Sequence, residues 1–174
     1  MLKNGIKDPV SALTHFIGLL ACIPCIFALI FQASHQDAMT QVIGFAIFGL
    51  SLVLLYGAST IYHTLYVSEA KTILLRRIDH IMIFVLIAGT YTPICLVSLA
   101  GPWGWTMLAL IWILAIGGAV MKIFWIQAPR WLSTSLYIIM GWLAVIAFVP
   151  LQRAVSWDGV GLLLAGGLAY TVGA

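Results

Sequence analysis

Long apolar runs separated by short polar connections dominate the chain. The runs fall at 12–32, 42–66, 78–99, 103–122 and 131–150, and a sixth starts near Gly159. Each of the first five is about as long as a helix that crosses a bilayer. A transmembrane barrel strand would alternate apolar and polar positions. These runs are continuous, so the pattern predicts an all-α, polytopic transmembrane helix bundle. The connections SHQDAMTQ, VSEAKTILLRR, AGPWG, IQAPR and QRAVSWD leave no room for a soluble domain. Residues 1–174 therefore read as a single transmembrane helical domain. From Gly159 to Ala174 the sixth run is short and has no polar flank, so the expectation is a span cut short in a longer chain.

Composition strengthens this picture. The chain is 63% hydrophobic and 7% charged, with a mean hydropathy of +1.13. Soluble domains carry about 25% charged residues. The net charge of +3 sits in the connections and gives no nucleic-acid signal. The basic start and first apolar run resemble a signal peptide, but the run is long and lacks a small-residue cleavage site, so it reads as a retained span. Lys3, Lys7, Lys71, Arg76, Arg77, Lys122 and Arg130 fall on one side of the spans, and Arg153 falls alone on the other. By the positive-inside rule the N-terminus is cytoplasmic.

Charge and polarity inside the apolar runs point to one region. Span two ends in Ser59-Thr-Ile-Tyr-His63, and span three opens on Asp79. Ser59 and His63 share a helical face, and the connection returns Asp79 to nearly the same depth. Two readings of the trio stand. Asp79 pairs with Arg76 or Arg77 while His63 caps a helix end, or the three form a metal or acid–base site. An ionisable group within a span is costly unless paired, which favours asking what it does. His15 either faces the same cavity or bonds a backbone carbonyl, the second being preferred. His80, next to Asp79, points about 100° away and is expected to serve a different contact.

Other features read as structure. Cys22-Ile-Pro-Cys25 has redox spacing but lies mid-membrane without a basic group to activate a thiol. Thr90 to Pro93 reads as a kink whose hydroxyls bond backbone carbonyls. Gly117-Gly118 and Gly166-Gly167 suggest close helix packing. Lys122 is expected to snorkel, and Trp103, Trp105, Trp125 and Trp131 mark span ends. No Walker loop, nucleophile elbow or HExxH pattern occurs.

The ordered set Thr14-His15-x-x-Gly18, Ser59-x-x-Tyr62-His63, Asp79-His80, Ala88-Gly-Thr-Tyr-Thr-Pro93 and Tyr137-x-x-Met-Gly-Trp142 resembles the bacterial hemolysin III proteins of the progestin and adipoQ receptor family. That resemblance implies seven spans, about six of them covered by this chain, a multi-pass protein of the bacterial inner membrane and a cytoplasmic N-terminus. It also implies zinc near the cytoplasmic face, with His63 as a ligand, Asp79 holding water there and Ser59 in the same cluster. The other two ligands would come from an H-x-x-x-H pattern in a seventh span, which this sequence does not reach. Asp8 and Ser11 stand where the family has an acidic residue and an asparagine. Three functions follow as expectations, all with membrane lipids as partners. They are a zinc-dependent hydrolase of lipid amides or esters serving membrane homeostasis, a non-catalytic sensor with structural zinc, and a cytolytic pore-former.

Overall fold

The computed structural model describes residues 5–35, 38–99 and 101–173. Lys3, counted above on the basic side, lies outside them. Among the described residues seven α-helices follow one another: α1 (Pro9–Ser34), α2 (Met39–Thr64), α3 (Glu69–Pro93), α4 (Pro102–Phe124), α5 (Arg130–Trp142), α6 (Phe148–Ala154) and α7 (Trp157–Gly173). No strand occurs among the described residues. Prolines stand in the first turns of α1 and α4, where the missing N–H costs nothing. Gly101 enters α4 with φ of +87°, a left-handed conformation that favours glycine.

Four helices, α1 to α4, are each long and apolar enough to cross a membrane, with α3 continuing to Ser98 through a wider π-helical segment, Ile94–Ser98. A fifth crossing requires α5 and α6 together, and these are bent by 57°. Among the described residues the count is thus four or five rather than about six. Helix α7 has 17 residues and spans about 26 Å, short of the roughly 30 Å of a hydrocarbon core.

The bend corrects the expectation of one continuous run at 131–150. The Tyr91 hydroxyl donates to the Gly141 carbonyl at 2.7 Å and accepts the Ala144 N–H at 2.8 Å. In an α-helix that N–H would bond the carbonyl four residues back. Capture by the tyrosine ends α5 at Trp142, and one turn of 3-10 helix, Leu143–Val145, follows.

Helix α3 also begins earlier than expected, at Glu69 rather than 78. Its first two turns extend past the apolar run, so Asp79 lies well inside a helix instead of opening one. Beyond Asp79, α3 supplies the centre of the core: Phe84, Ile87, Ala88, Tyr91 and Cys95 pack with Met107, Ile111 and Ala115 of α4 and with Tyr137 and Met140 of α5. Phe84 is fully buried and packs against Tyr137 with the rings tilted by 54° and their centroids 4.5 Å apart. Gly118 of α4 makes room for it, because a Cβ there would collide with the Phe84 ring. The close-packing expectation therefore holds at Gly118, whereas Gly117 and Gly166 face open space. Thr90 and Thr92 return their hydroxyls to the carbonyls of Leu86 and Ala88. Trp103 and Trp105 at one end of α4, and Trp125 just beyond the other, are exposed as an aromatic belt would be.

Candidate functional site

The basic end of the bundle is tied together by the segment before α1. A helix leaves its last carbonyls without intrahelical partners. At the end of α2 two of these are taken by the incoming chain: Lys7 N–H donates to Thr64 at 3.3 Å and Asp8 N–H to His63 at 2.9 Å. The Lys7 ammonium lies 3.5 Å from the centroid of the Tyr62 ring, a cation–π contact.

This docking places Asp8 Oδ2 3.0 Å from His63 Nδ1. An ionised carboxylate only accepts, so Nδ1 carries a proton, and in the neutral imidazole the lone pair is then on Nε2. The hydrogen bond from His63 is the main reason the Asp8 carboxyl is held below its ordinary value of 3.8. The sign follows: the contact is in force above the ordinary value and is lost as pH falls through the lowered one. At neutral pH Asp8 is a fixed anion behind the imidazole.

His63 opens on a cavity of about 430 Å³. Tyr62 and His63 of α2 form one wall, and Arg76, Asp79, His80 and Ile83 of α3 a second. Lys122 of α4 and Arg130, Ser133, Thr134 and Tyr137 of α5 close the opposite side, with Ala128 between them. A larger cavity of about 890 Å³ adjoins it. The two share Ile83, Thr134 and Tyr137. The larger one is lined mainly by aliphatic and aromatic side chains of α2, α3, α5 and α7.

The structure brings His63 and Asp79 to one cavity, as the spacing implied. Asp79 is 7% exposed. The ion pairs among the described residues are Lys7–Asp8 and His63–Asp8, so Asp79 pairs with neither Arg76 nor Arg77. Ser59 is 3% exposed, one turn before His63, and lines neither cavity.

His15 bonds the Ser11 carbonyl through Nδ1 at 2.7 Å, as preferred above, and also stacks on His63 with centroids 5.5 Å apart. It lines the larger cavity. His80 departs from expectation. It lines the same cavity as Asp79, because an opening this wide admits consecutive residues of one helix. Lys122 departs too: it is 2% exposed and turned inward rather than snorkelling.

Sequence reasoning gave Asp8 only a position in a resemblance. Its role as the carboxylate behind His63 depends on a contact across 55 residues. The available signal was its place immediately before Pro9, which starts α1.

Comparison with known proteins decides the family. The profile described as haemolysin-III related matches residues 4–174. The chain belongs to that family. It is similar to "Hemolysin-3" of Bacillus cereus, at 45% identity over 99% of this chain and 79% of the relative. It is also similar to "Hemolysin-3 homolog" of Bacillus subtilis (strain 168), at 45% identity over 97% of this chain and 79% of the relative. A more distant likeness, 26% identity over 73% of this chain and 54% of the relative, is to "Monocyte to macrophage differentiation factor" of Homo sapiens. No solved structure matches. Family and apolar helices together make this haemolysin-III related chain a multi-pass membrane protein.

The zinc implied by the resemblance can be tested against these side chains. A metal-bound histidine commonly donates its other ring N–H to a carboxylate, which fixes its orientation. His63 has that arrangement through Asp8. Among the described residues, no three His, Cys, Asp or Glu side chains stand together as a metal group. The residues therefore fit one corner of a zinc site and do not make a complete one.

Proposed function

We propose that this haemolysin-III related protein is a hydrolase of lipid amides or esters in membrane homeostasis, working with zinc held in part by His63. One observation carries the reading: an imidazole backed by a carboxylate, with Nε2 free, shares a cavity with an unpaired buried Asp79. That cavity adjoins an apolar space suited to an acyl chain. Zinc held by neutral imidazoles would supply Lewis acidity and make water acidic near neutral pH.

The chain's own residues supply the rest. Asp8 holds His63 in one tautomer. Asp79 accepts a proton from water in the cavity, and its two oxygens are free to do so. Ser59 is buried one turn before His63 and takes no step in this reading. The larger cavity binds the acyl chain and keeps bulk water from it. The basic end of the bundle, with Lys7, Arg76, Lys122 and Arg130, faces the cytoplasm in this reading.

The test is release of fatty acid from lipid amides and esters by the purified protein in detergent. Turnover that disappears with a chelator and returns with zinc is the expected result. Turnover indifferent to the chelator would remove zinc from the mechanism. Bound zinc with no hydrolysis of any lipid would favour a structural metal in a sensor.

A further inference from the structure

The cavity's far wall carries chemistry that the hydrolase reading does not use. Arg76, Lys122 and Arg130 reach it from three helices, and among the described residues Asp79 is the one carboxylate lining it. None of the three cations forms an ion pair within the described residues. Lys122 is 2% exposed and Ser133 is 6% exposed, so both are more than nine-tenths buried. Among the described residues the Ser133 hydroxyl has no hydrogen-bond partner, and neither does the buried Nδ1 of His80. A buried ammonium without an anion is strongly disfavoured, and unpaired buried polar atoms beside it add to the penalty. Arg130 also opens α5, whose N-terminal end carries positive partial charge. Every element of this wall lacks the same thing, an anion rich in acceptor oxygens.

The anion's attachment follows from the adjoining space. At Ile83, Thr134 and Tyr137, which line both, the basic cavity adjoins the 890 Å³ apolar one. A free anion would use the first and leave the second unfilled. An amphiphile with an anionic head fills both. Basic pockets between transmembrane helices hold lipid headgroups on this principle. We infer that Lys122, Arg130, Arg76 and Ser133 form a binding subsite for the phosphate of an anionic glycerophospholipid, whose acyl chain lies in the apolar cavity. The guanidinium groups suit bidentate contact with phosphate oxygens, while Lys122 acts as a buried point charge. The subsite shares the cavity with His63 but does not rest on the zinc reading.

Thermal unfolding in neutral detergent tests it, with four additives at equal concentration: short-chain phosphatidylglycerol, phosphatidylcholine with the same chains, the matching diacylglycerol and inorganic phosphate. The expected result is a clear rise in Tm with phosphatidylglycerol and little with the other three, since ligand binding to the native state stabilises by mass action. In Lys122→Met the apparent affinity for phosphatidylglycerol should fall about tenfold or more. The lipid-free Tm should hold or rise, because an unpaired buried charge has gone. Arg130→Gln, at an exposed position, should show the same loss of affinity and covers the case in which Lys122→Met does not fold. Equal shifts with phosphatidylcholine or diacylglycerol would overturn the phosphate subsite. A full shift with inorganic phosphate alone would overturn the lipid assignment. Undiminished phosphatidylglycerol affinity in a folded variant would overturn the residues named. Zinc content of the same samples should not change with either substitution, so the two readings fail separately.

Discussion

Asp79→Asn is expected to lower lipid hydrolysis by about 10²–10⁴-fold, the usual worth of a positioned proton acceptor. The amide has the size of the carboxylate but does not take up a proton at neutral pH. Nothing in the fold should compensate for the loss or suffer from it. Asp79 makes no ion pair among the described residues, so its replacement strands no bonded partner there. Zinc content and Tm should stay near those of the unaltered protein. A different role would leave a different signature. If the carboxylate serves only to balance Arg76, Lys122 and Arg130 across the cavity, Asp79→Asn would lower Tm while leaving turnover in place. Rates and Tm measured on one preparation separate the two.

Tyr91→Phe is the second large effect, and it acts on the fold. The hydroxyl makes two hydrogen bonds where α5 breaks, one to the Gly141 carbonyl and one from the Ala144 N–H. Hydrogen bonds between membrane helices average about 0.6 kcal/mol, with a maximum near 1.7. Two of them at a helix break place the loss at about 1–3 kcal/mol. The alternative open to the chain is to restore the Ala144-to-Met140 bond and straighten the 57° bend. Thermal unfolding reads the first effect. A pair of spin labels near the start of α5 and the end of α6 reads the second, as an increased separation. No change in either would mean that the break has another cause, such as Gly141 alone.

These two cases show what the sequence disclosed. Helical spans were legible because continuous apolar runs admit one backbone solution in lipid. The meeting of His63 with Asp79 was legible because a short connection returns the chain to the same depth. Contacts distant in sequence were hidden: the Asp8 carboxylate behind His63 and the Tyr91 hydroxyl inside span five are 55 and 50 residues from their partners. Nothing in the local pattern of WLSTSLYIIMGW announces that its helix will be interrupted by a tyrosine from elsewhere. Helix α3 outran its apolar run because Glu69 to Arg77 are compatible with helix although charged residues interrupt them, and hydropathy marks the lipid boundary rather than the helix start. Lys122 was misjudged for a related reason. A lysine at a span end is expected to reach outward, but a polar cavity between α3, α4 and α5 offers it an inward place.

The central claim is that Asp8 and His63 together present an imidazole to zinc. The measurement that tests it most directly is the metal content of the purified protein beside His63→Ala and Asp8→Ala. About one zinc per chain is expected, lost in His63→Ala. In Asp8→Ala zinc should be retained only at higher free metal, with affinity reduced about 10–100-fold as for other carboxylates behind metal-binding histidines. Zinc bound equally by all three proteins, or by none, would contradict the account.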